Sequence, residues 1–170
     1  MIVKLGDFGS STSIALTKFA THFNASHMVV TPYYEEGIHG HSYYISIEIY
    51  GDPDDTGMLI DFIYLEKVLK ESIKDWDHYV LLPKYHPLIH ITDNGPNVDI
   101  RYRDRYYSIP QSDITFLECE NITAENLVLL LANKIHIVLK KEIPNLKLSE
   151  LKVDIWETPI YSASHTIHYK

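Results

Sequence analysis

Cysteine occurs once in the 170 residues and glycine 7 times. A lone Cys119 closes no internal disulfide, so the fold has to rest on its core, and a reducing compartment is the expectation. Long hydrophobic runs are missing too. The most apolar stretch, NLVLLLANKIHIVL, is interrupted by lysine and histidine and is too short to span a bilayer. The first ten residues, MIVKLGDFGS, hold no basic segment followed by an apolar one, so no leader is expected and a soluble, cytoplasmic protein is. Positive charge is scarce: 15 basic residues face 23 acidic ones, for a formal net charge of −8, and no Lys/Arg stripe offsets it. Such a chain repels phosphate backbones, so neither nucleic acid nor membrane is an expected partner. Repeats and low-complexity tracts are absent. A single domain over residues 1–170, burying about 70% of its unfolded surface, is expected, with a β-rich insert over about 83–120.

The punctuation that is present divides the chain into strands and helices. Residues 11–23, rich in threonine, β-branched and aromatic side chains, suit a first strand. From His39 to Tyr50 the residues alternate, with His39, His41, Tyr43, Ile45, Ile47 and Ile49 on one face of a second strand. GDPDDTG breaks it, and Asp61 can cap a helix whose apolar positions are Leu65, Val68, Leu69, Ile73 and Trp76. That helix delivers the chain to Asp77 and His78. A β-excursion follows, with Arg101, Arg103 and Arg105 on one strand face, placed to meet phosphates or, more plainly, water. A short strand is expected over Ile114 to Cys119. Thr123 can cap a second helix with Glu125 in its first turn and Pro144 beyond its end. LKVDIWET and SASHTIHYK complete the chain as a strand pair. The order describes an α+β fold: an antiparallel sheet with two helices on one face.

Several residues in this frame can carry chemistry. Ten histidines make a chance His-x-His pair expected, so the spacing of His39 and His41 alone says little. Their placement says more. Two imidazoles on the buried side of a strand, with glycine between, can converge on one point. His27, in FNASHMV, adds a third from a neighbouring strand or its edge. Three histidines without a fourth protein ligand describe a catalytic zinc site with one position open; the alternative is three separately hydrogen-bonded rings. Asp77 beside His78 can stabilise a charged imidazole acting as general base, although a solvated helix-end pair fits as well.

FNASH, HGHSYYISIEI, GMLIDF with its following helix, DHYVLL, TAEN and VDIWET, in that order, resemble the 6-pyruvoyl-tetrahydropterin synthase family, which includes the 6-carboxytetrahydropterin synthase of queuosine biosynthesis. The resemblance covers residues of about 19 to 160. It implies the tunnelling fold (T-fold), in which subunit sheets join into an oligomeric β-barrel, as trimers or hexamers with sites between subunits. It implies Zn2+ held by His27, His39 and His41, His78 as general base and Asp77 as its orienting partner. By the same resemblance Glu157 of WET anchors the pterin, with Thr123 and Ala124 of TAEN near the ring. A carboxylate's two oxygens match the paired donors of a pterin edge; otherwise Glu157 ends its strand in solvent.

The chain departs from its relatives at one place. Members that make the pyruvoyl or carboxy product carry a cysteine shortly before HGH, in the queuosine enzymes four residues before it, and here that position is Glu35, followed by Glu36. Cys119 reads as a small buried hydrophobe. The acidic pair resembles a branch in which glutamate replaces the cysteine and dihydroneopterin is trimmed to 6-hydroxymethyl-dihydropterin. The expectation is therefore a zinc-dependent lyase that cleaves the side chain of dihydroneopterin (tri)phosphate, with Glu35 or Glu36 ferrying a proton unless both face solvent. The alternatives are 6-pyruvoyl- or 6-carboxytetrahydropterin synthesis, and a non-catalytic pterin- or purine-binding T-fold protein.

Overall fold

The structure, a computed structural model, describes residues 12–169; residues 1–11, which include the segment read as carrying no leader, and Lys170 lie outside it. In chain order the elements are β1 (Thr12–Val30), β2 (Glu35–Gly51), α1 (Phe62–Ile73), β3 (Tyr79–Pro83), β4 (His90–Asn94), β5 (Asn97–Tyr102), β6 (Arg105–Pro110), a single 3-10 turn, β7 (Ile114–Leu117), α2 (Ala124–Glu142), β8 (Leu148–Trp156) and β9 (Ser162–His168).

Two long strands set the frame. β1 and β2 pair antiparallel as a hairpin at the centre of a six-stranded sheet ordered β7-β3-β1-β2-β8-β9. The fold is α+β, as expected, and antiparallel across β1, β2, β8 and β9. At one edge β3 joins β1 in parallel and β7 joins β3 in parallel. β2 and α1 together lie between β1 and β3, the long connection that a parallel pair requires. β1 runs well past residue 23, because Phe23, Ala25 and His27 continue its inward parity against β2. His27 thus lies on the strand that neighbours β2, and that strand is β1 itself.

Helix ends follow their capping chemistry. Asp61 Oδ1 accepts from the Tyr64 amide at 2.8 Å at the start of α1, and Thr123 Oγ1 accepts from the Asn126 amide at 3.3 Å at the start of α2. α1 stops at Ile73, so Trp76 lies in the turn beyond it, yet it stays buried in the core. Leu127, Leu131 and Ile135 of α2 and Leu65 and Leu69 of α1 pack with Ile45, Ile47 and Ile49 of β2 and Leu151, Val153 and Ile155 of β8. Each such side chain contributes about 1.5–3 kcal/mol by leaving water.

The insert forms its own three-stranded sheet, β4-β5-β6, with a second core in which Val98, Ile100 and Tyr102 meet Met28 and Val30 of β1. Among the described residues no helix is long and apolar enough to cross a membrane.

Candidate active site

β1 and β2 bring three histidines together. His27 lies directly opposite His39 in the ladder, and His41 follows on the same face of β2. One ligand atom from each ring falls within 4.8 Å of the others. His27 is buried, and its Nδ1 lies 2.7 Å from the Ile122 carbonyl. A carbonyl only accepts, so Nδ1 carries the hydrogen and Nε2 presents its lone pair. That buried Nε2 has no hydrogen-bond partner. His39 is held the same way, its Nδ1 2.8 Å from the Gly37 carbonyl. Two rings oriented through Nδ1, one of them with a buried, unpartnered Nε2, are what a metal ligand set requires. The histidines fit a metal. Gly40, between two of them, has its open side toward β1: a Cβ there would lie 3.1 Å from the Ala25 carbonyl oxygen. It therefore admits the partner strand rather than relieving the rings.

The acidic pair is split by a β-bulge. Between His27/His39 and Val29/Glu36, β1 advances from 27 to 29 while β2 steps back from 39 to 36, so Gly37 and Ile38 together oppose Met28. A bulge reverses strand parity beyond it and re-aims side chains. Glu36 is thereby returned to the histidine face. Its Oε2 lies 3.5 Å from His39 Nε2, and its Oε1 accepts from the Tyr34 hydroxyl. Glu35 turns the other way, where Arg103 Nη1 donates to it at 3.1 Å and Arg105 Nη2 stands 3.5 Å away. Neither arginine reaches only water, and the three arginines do not share a strand: Arg101 is on β5, Arg103 in the turn and Arg105 on β6.

Beside the triad a cleft of about 470 Å³ is lined by His27, Glu36, Thr123, Ala124, Glu125 and Glu157, with Ile160 and Tyr161 at its rim. Glu157 continues the parity of Val153 and Ile155 just past the end of β8. Burial lifts its carboxyl above the ordinary carboxylate range; the His41 ring opposes the shift, and Glu125 and Glu36 add to it. The Tyr43 phenol is fully buried, and burial, then the nearby Glu157 carboxylate, push it far above its usual range. The N-terminus of α2 borders the cleft because Asn121 ties the preceding loop to β1, its Nδ2 donating to the Val30 carbonyl at 2.7 Å.

His78 lines a second depression, of about 550 Å³, together with Asn24, Ser26, Ser42 and His41, and Asp77 precedes it in the chain. They are strapped to β1: Asp77 Oδ1 accepts from the Asn24 amide at 2.8 Å, and the His78 amide donates to the Asn24 carbonyl at 2.6 Å. The side chains do meet, His78 Nδ1 lying 3.0 Å from Asp77 Oδ1. His78 holds φ 68, an uncommon conformation for a residue with a side chain and one that persists where surrounding structure imposes it. Within one chain, His78 lies beside Asn24, Ser26 and Ser42 and is not among the residues that line the cleft with Glu36 and Glu157.

A family model described as 6-pyruvoyl tetrahydropterin synthase matches residues 16–167. The chain belongs to the 6-pyruvoyl tetrahydropterin synthase family. Membership places it among pterin-synthase-like lyases. A Methanocaldococcus jannaschii protein provisionally named 6-carboxy-5,6,7,8-tetrahydropterin synthase is 35% identical over 99 residues, 58% of this chain. That match spans 61% of the relative's length. A Pyrococcus abyssi protein with the same provisional name is 29% identical over 150 residues, 87% of each chain. The solved 6-pyruvoyltetrahydropterin synthase of Plasmodium vivax shares the fold at a TM-score of 0.89 and 22% identity, over 94% of this chain and 99% of that one.

For a 6-pyruvoyl tetrahydropterin synthase family member the missing thiol is the notable feature. Cys119 lies two residues beyond β7, not on it, packed half-buried against the main core with its thiol pushed up by burial. It is not among the residues lining the cleft. Sequence reasoning overlooked Tyr43 and Glu125, although Tyr43 shares the parity of His39 and His41 and Glu125 sits in the first turn of α2.

His27 makes the metal-free protein sensitive to acid. Burial is the main cause that pushes its pKa from 6.5 down to about 4, with His39 and His41 adding to the shift and the Ile122 carbonyl opposing it. Between those values the unfolded chain takes up a proton that the folded chain refuses, so stability falls as pH is lowered from 6.5 to about 4. The gap corresponds to about 3 kcal/mol. Denaturant midpoints of the metal-free protein across this window should slope more steeply than those of His27→Gln; equal slopes would refute the assignment.

Proposed function

We propose that the chain is a zinc-dependent lyase acting on the side chain of a reduced pterin bound in the cleft between the histidine triad and Glu157. The observation that carries this is the unpartnered, buried Nε2 of His27, fixed in its tautomer by Ile122 and clustered with His39 and His41. His27, His39 and His41 would hold zinc, which when bound supplies Lewis-acid polarisation of the substrate's side-chain oxygens. Glu157 binds the paired N–H donors of the pterin edge, and Thr123 and Ala124 border the ring. His78, oriented by Asp77, takes a proton from a side-chain hydroxyl. Glu36 hands a proton to the ring-side carbon. In this reading the C1'–C2' bond of dihydroneopterin (tri)phosphate breaks in a retro-aldol sense: the 2'-hydroxyl becomes an aldehyde, the bonding electrons pass into the pterin ring, and protonation at C1' yields 6-hydroxymethyl-dihydropterin.

A second reading, 6-carboxytetrahydropterin synthase, is the one that the provisional names of the curated relatives favour, and on kinship alone it is the better supported. What speaks for cleavage is the site itself, where a carboxylate stands beside His39 and the lining residues include no thiol. Structures of the Plasmodium vivax enzyme with a glutamate replaced by alanine or cysteine are described as catalytic-residue mutants, which supports a glutamate in that role within the fold. The reading includes one catalytic domain and assembly into a trimer or hexamer through the sheet edges β7 and β9, which would bring His78 of one subunit toward the cleft of another. Incubation with dihydroneopterin triphosphate and product identification by mass decides between the two: 6-hydroxymethyl-dihydropterin is expected, and a 6-carboxy or 6-pyruvoyl product would overturn the cleavage reading.

A further inference from the structure

An apolar seat and an ionic clasp meet at the bulge that aims Glu36. Met28, opposite Gly37 and Ile38, is fully buried with Val98 and Ile100 of the insert, and Ile38 packs against the same cluster. The clasp is formed by Arg103 and Arg105, from the end of the β5–β6 hairpin, on both oxygens of Glu35, at 3.1 and 3.5 Å. Arg105 lies where a side chain at position 37 would begin: a Cβ on Gly37 would stand 2.5 Å from its Nη1 and 3.2 Å from the Tyr107 hydroxyl. Arg103 holds φ 52, a left-handed conformation that costs energy for a residue with a side chain and so marks a place the surroundings determine.

We infer that Arg103 and Arg105 are positioning residues, acting through Glu35 to hold the bulge that keeps Glu36 beside the triad. The inference rests on the reading of Glu36 as proton carrier. Its physical basis is register. In a regular strand Glu35 would share the face of His39 and Glu36 would leave it. A clasp that pins Glu35 on the insert side excludes that arrangement. Neither arginine lines the cleft, so their loss should disturb the chemistry without removing a substrate contact.

The test is the double variant R103Q/R105Q of the full chain, assayed with dihydroneopterin triphosphate. Both side chains are well exposed, so folding should survive their loss. We expect kcat of the zinc-loaded protein to fall about 10- to 100-fold, the scale of a small misplacement of a reacting group, with KM unchanged. Arg105→Lys should fall between, since it keeps the charge without the fork. Adding Glu35→Gln to the double variant should cost nothing more, because all three changes break one unit. Amide hydrogen exchange at residues 35–38 should speed up in R103Q/R105Q whether or not a product is formed. Arg101→Gln, which removes a charge stacked over the Tyr106 ring, is the control and should change neither rate nor exchange. An unchanged rate or unchanged exchange overturns the clasp. A rise in KM alone, confined to the phosphorylated substrate, also overturns it, by assigning the arginines to substrate phosphates. If wild-type protein forms no product, the functional reading fails while hydrogen exchange still decides the clasp.

Discussion

Glu36→Gln should leave a protein that binds zinc and pterin and turns over about 100- to 10,000-fold more slowly, the range general acid catalysis contributes. The substitution keeps the shape of the side chain and an oxygen that can still accept from the Tyr34 hydroxyl. What it removes is a group able to give and regain a proton 3.5 Å from the His39 ring. Ligand geometry should be untouched, because His39 is oriented by the Gly37 carbonyl and His27 by that of Ile122, not by Glu36. Steady-state rates measured with metal content and pterin affinity check this. Glu35→Gln should cost less, since Glu35 faces the insert arginines. A larger loss from Glu35→Gln than from Glu36→Gln would reverse the roles given to the pair.

His41→Ala should abolish turnover and zinc binding while the fold persists. Two remaining imidazoles are too few for a tight three-histidine site, yet the core of Ile45, Ile47, Ile49, Leu131 and Ile155 is complete without the ion. Zinc at 100 times its Kd should raise the unfolding free energy of the wild type by about 2.7 kcal/mol and leave that of His41→Ala unchanged. Far-UV circular dichroism with metal analysis of both proteins reads the two effects separately. Chelation of the wild type should likewise remove activity and leave secondary structure; unfolding on chelation would mean the ion is structural.

How far the sequence could be read follows from which rules are local. Period-2 alternation in β2 placed His39, His41 and Tyr43 on one side, and cap chemistry placed Asp61 and Thr123 at helix starts, because each depends on neighbours within a few residues. The reach of β1 to Val30 was hidden, since the polar Asn24 and Ser26 look like a strand end until β2 is known to lie alongside. The split between Glu35 and Glu36 was hidden for a different reason. Alternation counted back from His39 runs through a bulge that only the opposing Met28 reveals. Arg103 and Arg105 were out of reach as well, because their partner lies 68 residues away along the chain from Arg103.

That one extra residue in β2 changes how this lineage can evolve. With adjacent glutamates, a carboxylate meets the triad whether the strand is bulged or regular, so a slip in length exchanges one acid for the other instead of deleting the function. Comparing relatives column by column would then set the residue in the cysteine's position, Glu35, against the triad, where the structure places its neighbour Glu36. Spacing, as much as residue identity, decides which carboxylate meets the triad.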